Sequence, residues 1–542
     1  MLVFRDGRRQ VRGRALLEQF VARIESLPQN GPSSRELILD ALVRAGELEC
    51  ALTDSTCADA ERVAKITDAI SDQFVSGGCH VPFSNLQQSL SQISPPPVVH
   101  ISPPEGFAYY ALHPLQFVDL TNSLPMSSSF AAVLGIRTIG TALSAVVGAG
   151  LRRRSMVAER TTVRPGGHPF DRLTEFTLDQ RVWIARQRAR SAEFLVVDEG
   201  PGLSGSSFLS VGDALLQAGV PRTKIAFLCG SQPDPGRLCA RDAGVRWPQF
   251  RSYSVRPGRH LPPGAAADLS AGRWRERVFR DLSEWPASWI AMERAKFLSH
   301  DGRRFYKFEG LGKFGAAAYE RAQALGAGGF SPGVRSIDDG YIEYEFVVGR
   351  PARSRDVSPA LLDRIAAYCA YRAEEFRDSS GHSEDLESLI RCNLQEEFGA
   401  GTEDACTELE VRFPVLVDGR MLPHEWLLAA NQAIKTDGTS HGDDHFFPGP
   451  TDIAWDLAGT IIEWELGTES ADYFLRRYQE LSGDNPRDRL PGYLQAYAAF
   501  RMGYCKMAAE SMKDTAEGER LWREYSRYRE VAKSRLPQGA AA

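Results

Sequence analysis

The sequence predicts an α/β protein in three parts. These are a helical N-terminal segment (1–95), a mainly parallel sheet wrapped by helices (96–280) and an α+β domain of two lobes (286–542). Three observations predict this. Apolar residues recur at helical spacing up to about residue 90. From Phe107 to about Arg280, short apolar runs alternate with helix-like stretches. Beyond a Pro/Gly/Ala-rich stretch at Pro262–Arg275, hairpin-like strands come first and long helical patterns last. A chain of 542 residues suits several domains rather than one.

In the first part, helices are expected at Ala15–Leu27, Ser34–Leu48 and Ala58–Phe74. Nothing there points to chemistry, and the segment reads as a helical cap or interaction module. A Pro-rich break at Ser94–Pro104 follows. The apolar runs Leu115–Leu120, Ala131–Ile136, Glu193–Val197 and Lys224–Cys229 are then expected as strands. Pro262–Arg275 reads as a linker. In the third part, Arg303–Glu309 and Tyr341–Val348 read as strands, and Ala471–Leu481 and Leu521–Ala532 as helices.

Composition narrows the function. Hydrophobic residues make up 43% and charged residues 25%, an ordinary globular balance. A net charge of −6 and a pI near 6.0 leave no basic footprint for nucleic acid. Nine cysteines without a Cys-x-x-Cys pair fit neither a disulfide framework nor a zinc ribbon. The first residues lack an apolar signal core, and no stretch is long enough to span a bilayer. A cytoplasmic protein acting on small molecules is expected, without nucleic-acid or membrane partners, and its oligomeric state is left open.

The strongest motif is Phe194–Phe208. An apolar strand ends in two adjacent acids, Asp198 and Glu199; a Gly/Ser-rich turn follows, then a helix from about Ser206 to Gly219. Backbone N–H groups at a helix start, beside Gly205, suit a phosphate, and hydroxyls of Ser204, Ser206 and Ser207 add donors. The two carboxylates suit a pair of ribose hydroxyls. This resembles the 5-phosphoribosyl-1-pyrophosphate (PRPP) loop of type I phosphoribosyltransferases, with a longer spacer at Gly200–Leu203 and Ser where Thr is common. Upstream, Val133–Gly140 is similar to that family's pyrophosphate loop. Arg137, Thr138 and Gly140 would then bind the leaving group. Between the loops, Glu159–Arg172 stands where the family carries a mobile hood, with Arg160 and Arg164 as pyrophosphate candidates. The resemblance implies transfer of a phosphoribosyl group from PRPP, as substrate, to a nitrogen nucleophile with Mg²⁺. Asp198 and Glu199 would be the catalytic acids.

In the third part Lys307 lies inside an apolar strand, and Glu320 on the following helix is its expected partner. Glu343–Gly349 resembles the hinge strand of aminoglycoside phosphotransferase-like kinases. Val417–Trp426 is read as the catalytic loop, with Asp418 as base and Glu425 as a metal ligand. Ile434–Asp437 is read as the strand end carrying the second ligand, Asp437. Thr451–Gly459 resembles the family's structural helix start. The kinase-like resemblance implies Mg²⁺ and ATP. His441, Asp443 and His445, spaced i, i+2, i+4, offer an alternative metal set. The first function expected is a phosphoribosyltransferase coupled to a kinase-like domain; the alternatives are a PRPP- or nucleotide-sensing regulatory protein with little or no turnover and, ranked lower, a kinase carrying a degenerate sugar-phosphate binding module.

Overall fold

Five runs build the central sheet of the computed structural model, which describes residues 1–27, 34–77, 83–256, 260–378, 386–399, 401–402, 409–430 and 432–536. Phe130–Ile136 lies between Val157–Val163 and Glu193–Val197; Ile225–Cys229 and Arg251–Ser254 continue the sheet, and all five are parallel. The inner strands are covered on both faces, so they are continuous apolar runs rather than alternating ones. The chain leaves Phe130–Ile136 toward one side and returns on the other. That reversal opens a crevice at the carboxyl ends of neighbouring strands. Arg137–Gly140 and Asp198–Ser207 both start there. A Cβ on Gly140 would stand 2.6 Å from the Val197 carbonyl oxygen, so only glycine lets the two turns meet.

The N-terminal helices Gly13–Glu25, Arg35–Asp54 and Ala60–Ser76 start and stop close to expectation, and a further helix spans Phe83–Ser91. Ser34 caps the second, accepting from the Leu37 N–H. Far from standing apart, they share one core with a face of the sheet and with Phe297, Tyr306, Phe308 and Tyr341 of the third part. Arg9–Arg12 also pairs with Val98–Ile101.

Two expectations fail here. Leu115–Leu120 is not a strand but lies in the helix Pro114–Ser123. Pro114 at the first helical position and a reciprocal His113–Gln116 cap favour the helix, and an apolar run that short carries no period of its own. Pro262–Arg275 is not a linker. Its Ala265–Asp268 is the edge strand of an antiparallel sheet, followed in space by Lys296–Ser299, Arg304–Phe308, Tyr341–Glu345 and Val334–Asp338.

Helix Lys313–Ala327 packs on that sheet, which forms a small lobe. The larger lobe is helical, built around Leu490–Ser511, which is buried along most of its length. Two small sheets belong to it: Pro414–Val415 with Thr451–Asp452, and Trp426–Leu428 between Arg350–Pro351 and Ala433–Lys435. The first residues of the chain belong to this lobe. Val3 is buried in its core, Phe4 stacks on Phe446 at 4.8 Å, and the Arg5 N–H donates to the His445 carbonyl.

Gly135, on the strand that feeds the first loop, has no room for a side chain: a Cβ would stand 2.1 Å from the Gly140 carbonyl oxygen. Gly135→Ala is therefore expected to cost about 1–3 kcal/mol in chemical denaturation, through forced separation of strand and helix. An unchanged midpoint would contradict this packing.

Candidate functional site

At the sheet crevice, the acids stand where the sequence places them. Burial pushes the Asp198 carboxyl up to about 8, and burial together with Asp198 and Glu105 pushes Glu199 well up. Glu199 accepts from the Gly106 N–H at 2.5 Å. Gly205, at φ 71°, makes the left-handed turn that starts helix Ser206–Gln217. Ser204 and Ser206 both donate to the Pro169 carbonyl, at 2.9 and 2.6 Å, so two expected phosphate donors instead anchor the hairpin Gly166–Leu173 above the loop. Ser207 stays half-buried at the helix start.

The arginines divide. Arg137 and Arg164 meet on one carboxylate, Asp54, at 3.0 and 2.6 Å. Thr138 and Gly140 follow directly, and the Arg137–Thr138 peptide is cis. Arg160 is not a pyrophosphate ligand: its guanidinium is buried against Glu49 (2.7 Å) and Asp68 (2.5 Å) and ties the N-terminal helices to the sheet.

The second constellation lies between the lobes of the third part. A cavity of about 220 Å³ is lined by Phe305, Lys307, Tyr344–Val347 and Leu427, and by Glu425, Asp437, His441, Arg420 and Asp444, among others. Lys307, buried on its strand, meets Glu309 at 2.8 Å and, across the cleft, Asp437 at 2.5 Å. Burial opposes its charge, but the two carboxylates raise its pKa on balance. Burial works against the Asp437 charge too, yet Lys307 and His441 hold that carboxyl well below the usual range. Burial holds His441 down to about 4, so its imidazole is neutral at pH 7.

Glu320 is not the partner of Lys307. It is exposed, because its helix turns Arg321 inward instead, to the Thr439 carbonyl at 2.8 Å. The inward partner, Glu309, lies on the strand's own extension two residues on.

Asp418, read as the base, does not line the cavity. It is fully buried, hydrogen-bonded by the Tyr368 hydroxyl and 3.2 Å from the Lys435 ammonium. Its loop is pinned from below: Asp456 accepts from the Asp418 and Gly419 N–H groups at 2.7 and 3.0 Å. The pinned turn sends Arg420 into the cavity two residues later. Asp444, within the polar run His441–His445, is an acid that does line it, and burial raises its carboxyl to about 6. The signal that could have found it is its place beside His441 in a polar run.

The triplet His441, Asp443, His445 is not a metal set. Its members diverge: His441 to Asp437 (3.5 Å), Asp443 to Arg5, Arg9 and Arg321, and His445 to Tyr109 and Tyr110. Among the described residues, the group with ligand atoms within 4.8 Å of one another is Asp418, Glu425 and His441. The carboxylate oxygens of Glu425 and Asp437 suit magnesium in kind. They already have counter-cations, Lys435 on Glu425 at 2.8 Å and Lys307 on Asp437. Burial raises Glu425 to about 7 in spite of Lys435.

No protein-family model matches the chain, and no curated protein matches it. Solved structures that resemble part of it include two choline or ethanolamine kinase family proteins and a macrolide phosphotransferase. A choline/ethanolamine kinase family protein from Mesorhizobium loti is 15% identical over 45% of this chain and 87% of its own, with a TM-score of 0.33. Choline kinase LicA from Streptococcus pneumoniae is 13% identical over 44% and 89%, also at 0.33. A macrolide 2′-phosphotransferase from Brachybacterium faecium is 16% identical over 49% and 96%, at 0.31. Among the described residues no helix is long and apolar enough to cross a membrane.

Two outcomes follow. Lys435→Met strands Asp418 and Glu425 in the core and is expected to cost about 3–5 kcal/mol by chemical denaturation. A loss under about 1 kcal/mol would mean that the lysine is dispensable. For Asp198, folding raises the pKa from 3.8 to about 8, so the folded chain holds a proton that the unfolded chain releases. Stability should therefore fall as pH rises across that window. Asp198→Asn should flatten the fall, seen as a higher melting temperature than wild type at pH 8 and a smaller difference at pH 5.

Proposed function

We propose that the interlobe cleft is a nucleotide-dependent small-molecule phosphotransferase site, joined to a sheet domain that binds PRPP and transfers its phosphoribosyl group to a nitrogen nucleophile. The observation that carries the first half is the Lys307–Asp437 pair, one ammonium and one carboxylate from opposite lobes meeting at the cleft cavity. In this reading the adenine lies against Phe305, Leu427 and the Tyr344–Val347 strand end, and Lys307 receives the nucleotide phosphates. Glu425 and Asp437 would hold magnesium, which when bound supplies charge neutralisation for the transferred group. Asp444, raised toward neutrality, takes the proton of the acceptor hydroxyl, as a general base titrating near the working pH can. Asp418 acts at one remove, fixing Lys435 and the loop.

The second half rests on Asp198 and Glu199 at the strand end, facing the switch of strand order beside Arg137–Gly140. Ribose hydroxyls would meet the two acids, and the helix start at Ser206–Ser207 the 5-phosphate. Arg137 and Arg164 would exchange Asp54 for pyrophosphate. The alternative, a regulatory protein that binds PRPP or a nucleotide without turnover, shares these contacts and differs only in outcome.

Release of ADP from ATP tests the cleft. Lys307→Met should lower kcat/KM for ATP by about 10²-fold or more, since it removes a charged phosphate contact. Asp444→Asn should lower kcat by about 10²–10⁴-fold with little change in ATP affinity. Unchanged ADP release in both variants would sink the reading. Release of pyrophosphate from PRPP, tested with a panel of nitrogen nucleophiles and lost in the double variant Asp198→Asn, Glu199→Gln, tests the sheet domain. PRPP binding without pyrophosphate would favour the regulatory alternative.

A further inference from the structure

The cleft has a second end that the nucleotide does not explain. Arg420 lines the cavity beside Asp444, His445, Phe446, Arg501 and Tyr504. Among the described residues no carboxylate lies within ion-pair distance of the Arg420 guanidinium. Its partners are rings instead, Tyr504 at 5.2 Å and Phe446 at 5.9 Å. Arg501, nearly buried, stacks on the same Tyr504 ring at 5.2 Å. Its one acid is Glu463 at 3.5 Å, already held by Arg527 at 2.8 Å and by the Tyr497 and Tyr528 hydroxyls. Two guanidiniums thus share one aromatic ring with less than one carboxylate between them. Arg294, the third arginine at this end, faces Glu309 at 3.5 Å and stacks on Tyr109.

The neighbours register the same imbalance. Burial, with Arg294, Arg420 and Arg5, holds His445 down to about 3. Two acids act on Arg420 from within the cavity, Asp444 and Glu425, both too far for an ion pair; Glu425 is already held by Lys435 at 2.8 Å, and one Asp444 carboxylate oxygen accepts from the Phe446 N–H at 2.8 Å. A partly buried guanidinium without an anion is costly, and a bound anion removes that cost through charge-assisted hydrogen bonds. The same potential repels a cation.

We infer that the acceptor end of this cleft takes an anionic substrate, a phosphate monoester of a small polyol such as a sugar phosphate, with its phosphate on Arg420 and a free hydroxyl toward Asp444. The inference rests on the phosphotransferase reading of the cleft and specifies its acceptor. The balanced step moves the terminal phosphoryl group of the nucleotide to that hydroxyl. The bond between the bridging oxygen and the terminal phosphorus breaks, a new O–P bond forms, the hydroxyl proton passes to Asp444, and the nucleoside diphosphate leaves. A cationic amino-sugar or a quaternary amine fits this end poorly.

The test uses the full chain with ADP present and calorimetric titration of glycerol 3-phosphate, ribose 5-phosphate, neutral ribose, glucosamine and choline. Phosphate esters should bind and the neutral and cationic compounds should not. Arg420→Met should weaken the phosphate esters by about tenfold to a hundredfold, and Arg420→Lys should recover part of the loss. Ribose 5-phosphate can also seat on the Asp198–Ser207 loop, so only binding lost in Arg420→Met counts. Phosphate-ester binding that is unchanged in Arg420→Met overturns the inference, as does tight choline or glucosamine binding. Weakened ATP with unweakened phosphate esters also overturns it, by assigning Arg420 to the nucleotide. If ADP itself does not bind wild type, the nucleotide reading fails; if ADP binds and phosphate esters do not, only the acceptor assignment fails.

Discussion

Charge burial between the lobes governs the C-terminal domain. Lys307, Lys435, Asp418, Glu425 and Asp437 all lie largely out of water, and none could remain charged there alone. Each is held by another: Lys435 by Asp418, Glu425 and the Asp437 carbonyl, and Lys307 by Glu309 and Asp437. Because Lys307 comes from the sheet lobe and Asp437 from the helical lobe, the closure of the cleft is itself an ion pair. A buried pair of this kind adds little net stability but is expensive to break from one side. It sets geometry more than it adds energy.

A second layer of polar contacts positions the loop above this cluster. Arg372 donates to the Gly438 and Leu416 carbonyls at 2.6 and 2.7 Å, and its guanidinium lies near Asp456, which holds the Asp418–Gly419 backbone. The direction of that turn turns Asp418 away and Arg420 in. One backbone pin thus decides which side chain faces the cavity.

The same physics joins the two halves of the chain. Residues Glu105–Leu112 run from one site to the other. The Gly106 N–H donates to Glu199, the Phe107 carbonyl accepts from Leu311, and Tyr109 lines the cleft. A Cβ on Gly106 would lie 2.8 Å from the Glu199 carboxylate, so the strap approaches the loop as closely as backbone can. The shared apolar core beneath it makes the N-terminal helices part of the body of the protein.

Local chemistry was legible in the chain. Apolar runs bounded by Gly and by acids marked the inner strands, Ser204–Ser207 marked a helix start, and Lys307 in an apolar strand required a buried partner. Helix Pro114–Ser123 escaped because its apolar run was too short to show a period, although Pro114 and the His113–Gln116 cap were there to read. Partners were not legible. Glu320 and Glu309 are both close to Lys307 in sequence, and only the facing of a helix against a strand selects Glu309. Arg160 and Arg164 are the same residue type four positions apart, the first within strand Val157–Val163 and the second just past its end; packing against Glu49 and Asp68 buries the first, and the second lies near the crevice. The chain by itself determined where charge would have to be buried, because a lysine or an acid pair inside an apolar run has no other fate. The tertiary structure alone decided which groups a charge meets, because ion pairs and cation–ring contacts are set by distances of a few ångströms between elements remote in sequence, as Lys307 with Asp437 and Arg420 over the Tyr504 ring show.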